Sequence, residues 1–395
     1  MLLTRRAMLT LTASGLAISA VSVNRLSIQA ADPPFLNGEP GVFTAQAATT
    51  GTPRVPTAIR LKLPNGAFCA ADFESYVKGV VPAEMAALWS AEALKAQAVA
   101  ARTYAASYLG TYGYICTTST CQNYDPSKRT AASDAAVDAT RGQVMAYQGG
   151  RIWSYYHSTC GGQTATSPDA ASPYCSAVRC WRENDGSGRD PADLTSDTAA
   201  AGFWRTTDTP SSFCGSSPSF RWSWTISRSD LESILNTQMA GSAAVSPPYS
   251  AGQIGQLKNL SAAIRSTSGK VTKLRVTAAS AGWDVNGETA IRSFLRTSLN
   301  GDALRSSNVI LSLERSGDTF TRLTGQGGGY GHGIGMCQYG AKRMADLGYD
   351  YQSILRHYYS SVSVESGSPA VVSVPPSSGR RIFIALSNTL ANACE

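Results

Sequence analysis

The stretch "SAEALKAQAVAARTYAASYL", residues 90–109, limits the possible folds of this chain more than any other. Leu94, Ala98, Ala101, Ala105 and Tyr108 recur three and four apart, which sets them along one narrow face of a helix. Most of that face is alanine, so a neighbouring helix can approach closely. Ser90 is a good N-cap, and Glu92 puts negative charge in the first turn, where the helix dipole favours it. Upstream, "AADFESYVKGVV" places Phe73, Tyr76, Val77 and Val80 on one face of an earlier helix, which Pro82 is expected to end or kink. Between the two helices stands "VVPAEM", with Glu84 as a lone carboxylate beside Val80, Val81, Pro82 and Met85. A glutamate near a helix start is usually solvated. In partly apolar surroundings its pKa would rise, and a carboxyl protonated near neutrality is the donor that a leaving glycosidic oxygen requires.

The rest of the chain mixes helical and strand patterns. "TAIRLKLPNGAF" alternates like a strand running into a Pro-Asn-Gly turn, and residues 141–166 read as a hairpin around a Gly-Gly turn. From about 168 to 220 the chain is rich in Pro, Ser and Asp and is expected to be irregular. Strands such as "KVTKLRVT" and "NVILSLE" then alternate with helices. Beyond 325, the loop "GQGGGYGHGIG" leads into a helix carrying Met336, Tyr339 or Gly340, and Met344, and "YQSILRHYY" forms another. With 395 residues, 43% of them hydrophobic, the chain can bury a sizeable core, as one large domain or two lobes.

The N-terminus has the pattern of an export signal: a basic start, a modest apolar run, then small residues suited to cleavage after Ala30. Thr4-Arg5-Arg6 fits a twin-arginine signal, with a general secretory signal as the alternative. The apolar run is short and interrupted for a membrane span. Residues 1–30 hold three arginines and no acid, so their removal lowers the formal charge from +7 to +4. A mildly basic exported protein is retained near an anionic wall or membrane surface. No dense Lys/Arg stripe suggests nucleic acid, and no transmembrane partner is evident. Residues 31–56 read as a flexible linker and 366–395 as a tail, leaving 57–365 as the folded domain.

Nine cysteines in an exported chain point to disulfides with one thiol left over. Cys116 and Cys121 are close enough to pair across a turn, and Cys175 and Cys180 share that spacing. Cys69, Cys160, Cys214 and Cys394 could pair at long range, and Cys337 is the candidate leftover. His157, Cys160, Cys175 and Cys180 have a zinc-like composition, but the H-x2-C-x14-C-x4-C spacing is not distinctive. Disulfides are the favoured fate of those sulfurs, so no cofactor is expected, with zinc as the minor alternative. The glycine loop lacks the Lys-Ser/Thr ending of a phosphate cradle; its glycines permit close backbone approach to a ligand. His332 within it is either structural or part of a site. His332 with Cys337 raises a thiol hydrolase, though no orienting Asp or Asn accompanies them. His357, on an aromatic helix, reads as structural.

Three stretches together resemble the sporulation stage II protein D family, also called amidase enhancers. They are "YVKGVVPAEMAALWSAEALKAQAVAARTYA", "YYHSTCGGQTA" and "GGGYGHGIGMCQYGAKRMADLGYDYQSILRHYY". Between them, "RSTSGKVTKLRVT" and "VNGETAIRSFLRTSLNGDALRSSNV" resemble the family's intervening region. The resemblance covers roughly 57–365. It implies an α+β, two-lobed domain whose substrate cleft lies between the helical pair and the glycine loop. It also implies action on peptidoglycan glycan strands: active members are lytic transglycosylases, and sporulation members prefer glycan stripped of stem peptides. The family's catalytic glutamate falls on Glu84, while Glu92 is better explained as helix-capping charge. Lys95, Gln97, Arg102 and Tyr104 become candidates for one cleft wall or its support, with Arg102 equally explicable as a structural ion-pair partner. His332, Gln338 and Tyr339 become the other wall. Two departures stand out. Cys337 replaces a common Ser, and Thr120 stands where a zinc-binding His is frequent in "CTTSTCQNY", so Cys116 and Cys121 are expected to form a disulfide. The alternative to an enzyme is a glycan-binding protein that stimulates a cell-wall amidase without cutting.

Overall fold

The computed structural model describes residues 54–181, 190–206, 212–317 and 319–370. The expected signal peptide, most of the expected linker, Cys394 and the end of the tail lie outside the described residues. Among these residues the fold is mixed α+β, with eight α-helices and several small sheets. No helix among them is long and apolar enough to cross a membrane.

Helix α1 spans Phe73–Glu84, and the Asp72 carboxylate caps it by accepting from the Ser75 N–H at 2.8 Å. Phe73, Tyr76, Val77 and Val80 are all buried, as their spacing predicts. Pro82 lies inside the last turn and the helix stops two residues later, so the ring ends α1 rather than kinking it. Helix α2, Ala91–Tyr112, begins after Ser90. The Ser90 side chain makes no cap bond; its hydroxyl donates instead to Asp346. The small-residue face of α2 is buried, and α2 packs against α1, α3 (Ala131–Ala139), α7 (Gln338–Asp346) and α8 (Tyr351–Tyr358). These helices share one hydrophobic core with the antiparallel strands Ala58–Lys62 and Phe68–Asp72.

A second core is built from α5 (Arg228–Met239), α6 (Glu288–Phe294) and two antiparallel sheets. One pairs Leu257–Arg265, Val271–Ala278, Gly282–Asn286 and Val245–Ser246; the other pairs Val309–Ser316, Thr319–Gly327 and Trp222–Ser227. Helix α4, Asp197–Arg205, lies within the stretch expected to be irregular and carries the buried Trp204 of a small third cluster.

Three local expectations change. The hairpin after Gln143–Tyr147 keeps only Gly150–Arg151 as its return strand, because the chain then leaves to pair Tyr156–His157 in parallel with Met336–Cys337. Met336 is therefore on a strand, not on α7. At the domain ends, Arg54–Pro56 pairs in parallel with Ser368–Ala370, so these parts of the expected linker and tail form a two-stranded sheet.

Candidate active site

Glu84 is the last residue of α1. Its Oε1 accepts the Asn123 N–H at 2.6 Å, and its Oε2 accepts from Gln338 Nε2 at 3.3 Å. The residue keeps some open surface, yet protein closes round the carboxyl, and this desolvation raises its pKa. The bonds from Asn123 and Gln338 pull the other way and only partly offset it. The arrangement is a carboxyl whose burial favours the protonated form and which, once ionised, is met by two donors.

Gln338 opens α7 and is buried; its Nε2 also donates to Gln97 Oε1 on α2 at 3.3 Å. The fully buried Gln97 thus lies behind Gln338, one layer from Glu84. Tyr76, Tyr104 and Tyr156 border the carboxyl closely enough that its charge adds to the burial raising their own pKa values. Gln122 links two of them, donating to the Tyr76 hydroxyl at 3.1 Å and accepting from the Tyr156 hydroxyl at 2.6 Å. Tyr339 meets Trp89 edge to face, ring centroids 5.1 Å apart.

The remaining family-motif residues lie elsewhere. Lys95 is ion-paired to Glu92 at 2.6 Å, and Glu92 also accepts the Tyr351 N–H that opens α8, so this pair fastens α2 to α8. Arg102 is fully buried. It grips both oxygens of Glu74 at 2.8 and 2.7 Å and donates to the carbonyls of Ala98, Gln143 and Val137. From there it cannot touch a ligand in a cleft; it holds α1, α2, α3 and the Gln143–Tyr147 strand together. His332 faces Tyr155 and His157, at centroid distances of 6.1 and 5.6 Å, and its Nδ1 accepts the Ile334 N–H. Burial above all, with the Lys270 charge adding to it, lowers its pKa well below the ordinary 6.5.

The glycine loop packs against the protein's own backbone. It bridges to Thr159 and Ala165. A Cβ on Gly335, where φ is +70°, would stand 2.0 Å from the Tyr155 carbonyl oxygen. Gly329, Gly331 and Gly335 are thus required by contact with residues 155–160.

The cysteines also depart from expectation. Cys116–Cys121 is a disulfide, while Cys160, Cys175, Cys180, Cys214 and Cys337 are free and buried. Cys175 and Cys180 do not pair despite their spacing: the first points at the Trp153 carbonyl and the second at the Tyr358 hydroxyl. Of the zinc candidates, His157 bonds the Ile334 carbonyl through Nδ1, and Cys175 stands apart from the other sulfurs. The sequence reading missed Gln122, Asn123, Tyr156 and Trp89. A usable signal was present for the first two: they directly follow Cys121, so the disulfide fixes the loop that presents them to α1.

Comparison with known proteins gives two profile matches and several relatives. A sequence profile described as stage II sporulation protein matches residues 67–147, which hold α1, Glu84 and α2. A second profile, described as a domain of unknown function, matches residues 205–335 and takes in the second core. The amidase enhancer of Bacillus subtilis (strain 168) is 32% identical over 302 residues, 73% of this chain and 40% of the relative. An uncharacterized protein of Brachyspira hyodysenteriae is 30% identical over 302 residues, 74% of this chain and 66% of its own length. The stage II sporulation protein D of Bacillus subtilis (strain 168) is 26% identical over 324 residues, 74% of each chain. The chain therefore spans 40% and 66% of the first two relatives.

Proposed function

The chain belongs to the stage II sporulation protein D family, and on that premise we propose that it is a lytic transglycosylase of peptidoglycan, with Glu84 as general acid and base. The observation that carries this reading is the Glu84 carboxyl itself, raised in pKa by burial and met by two donors. Two-carboxylate glycosidases use the second group to activate water or attack the sugar. A muramic sugar supplies its own nucleophile. Glu84 gives its proton to the glycosidic oxygen as the bond to the anomeric carbon breaks, and the sugar's 6-hydroxyl bonds to that carbon. The Glu84 carboxylate then takes the hydroxyl proton. One glycosidic bond is exchanged for the anhydro ring, and no water is consumed. The Asn123 N–H and Gln338 Nε2 stabilise the carboxylate between the two transfers.

In this reading the substrate lies in a cleft between the α1–α2 junction and the start of α7, with Trp89 and Tyr339 offering apolar ring faces to the sugar. The substrate is glycan stripped of stem peptides, and the protein works in remodelling the cell wall after export. Its excess of basic residues favours retention there. The name amidase enhancer, borne by one relative, favours a second reading: glycan binding that stimulates a partner amidase without cleavage.

Mass spectrometry of purified peptidoglycan, intact and amidase-stripped, separates the two. Anhydro-muramic ends are expected with the wild type and not with Glu84→Gln. Glycan retained on the protein with no anhydro ends from either substrate would replace the enzyme with the enhancer.

A further inference from the structure

Four of the five free cysteines converge. Cys160 follows the Tyr156–His157 strand, Cys180 and Cys214 come from separate loops, and Cys337 is the N-cap residue of α7. Their Sγ atoms all lie within 4.8 Å of one another, and each residue is almost wholly buried. Cys160 and Cys214 Sγ are 3.5 Å apart. A tetrahedron of sulfurs about 2.3 Å from a zinc ion has edges of about 3.8 Å, whereas a disulfide needs about 2.05 Å. Two disulfides would divide the four sulfurs into two close pairs; a single cluster with every sulfur near the other three is the geometry of one shared ion.

The surroundings suit thiolates. The Cys160 N–H donates to Cys337 Sγ at 3.3 Å, and the hydroxyls of Tyr358 and Ser212 lie 3.2 and 3.6 Å from Cys180 and Cys214 Sγ. Such donors orient ligands and stabilise their charge in metal sites. The half-buried Arg221 guanidinium is close enough to feel charge on Cys214 and Cys160. It would offset part of the −2 left when four thiolates meet a divalent cation. Opposite the cluster, a Cβ on Gly340 would stand 2.7 Å from Cys180 Sγ, so α7 packs directly on the sulfurs.

We infer that Cys160, Cys180, Cys214 and Cys337 bind one zinc ion as a closed, structural site of four thiolates. Binding releases the four thiol protons and leaves no open coordination position for a substrate or water. The ion ties together three loops and the start of α7. Cys337 immediately precedes Gln338, so the same ion fixes the residue that donates to Glu84; that consequence rests on the proposed role of Glu84, while the metal site does not.

The test is elemental analysis of the full chain purified from its exported form, with alkylation mapped before and after chelator treatment in denaturant. One zinc per chain is expected, with Cys160, Cys180, Cys214 and Cys337 alkylated only after the metal is removed. Cys214→Ser should lower the zinc content from one per chain toward zero, and Cys175→Ser should leave it at one. Should Cys214→Ser fail to fold, cobalt(II) exchanged into the wild type still decides, through the intense sulfur charge-transfer band and visible ligand-field bands of a tetrahedral all-thiolate set. Zinc-free protein with Cys160, Cys180, Cys214 and Cys337 cross-linked as disulfides would overturn the inference, as would an octahedral cobalt spectrum. Neither readout requires glycan cleavage, so it stands or falls apart from the proposed enzyme.

Discussion

Replacing Arg102 with Leu tests whether this family-motif residue serves the fold or the chemistry. Its side chain is fully buried, and the Glu74 side chain facing it is only 9% exposed. Without the guanidinium, Glu74 keeps the Gly142 N–H as a donor at 3.1 Å but loses both charge-assisted bonds. The carbonyls of Ala98, Gln143 and Val137 lose a donor as well. Removing one partner of a buried pair costs about 3–5 kcal/mol, because a desolvated charge is left uncompensated. Glu74→Leu strands the guanidinium and should cost a similar amount. The double variant leaves no stranded charge, so it should cost no more than one single variant, a coupling of at least about 3–5 kcal/mol. Urea unfolding followed through tryptophan fluorescence reads this core, because Trp153 stacks on Tyr155 within it. If the two single costs simply added, the ion-pair account would fail. If Arg102→Leu unfolded at the wild-type urea concentration but no longer cut glycan, Arg102 would belong to the site.

Two pH predictions follow from opposite shifts. Burial raises the Glu84 pKa above its ordinary 4.5, so its carboxyl favours folding most when protonated, and that contribution is lost as pH rises through the folded value. Glu84→Gln should therefore be more stable than the wild type at pH 7, on the order of 1 kcal/mol, with the gain vanishing below about pH 4.5. Thermal melts of both proteins at pH 4 and pH 7 check this; a difference independent of pH would sink it. His157 behaves in the reverse sense. Burial lowers its pKa from 6.5 to about 4, so it stays neutral in the fold while the unfolded chain takes up a proton. Its contribution is complete above pH 6.5 and is lost as pH falls toward 4, by roughly 3 kcal/mol in all. His157→Asn keeps a donor for the Ile334 carbonyl and should flatten the stability profile between those values, as measured by urea midpoints.

The sequence by itself determined part of the local structure. The buried faces of α1 and α2, the stop at Pro82 and the pairing of Cys116 with Cys121 rest on periodicity, the proline ring and short loops. All of these are written within a few residues of where they act. Family motifs then singled out Glu84. Tertiary structure decided what each side chain faces. Lys95 and Arg102 sit on the same helix as Gln97, but one fastens α8, one is locked to Glu74, and only Gln97 backs the donor to Glu84. The Gln338–Glu84 contact joins residues 254 positions apart, and the four clustered sulfurs come from four separate segments. Nothing in their spacing announces either meeting, because both are set by how helices and loops distant in sequence pack around a common core.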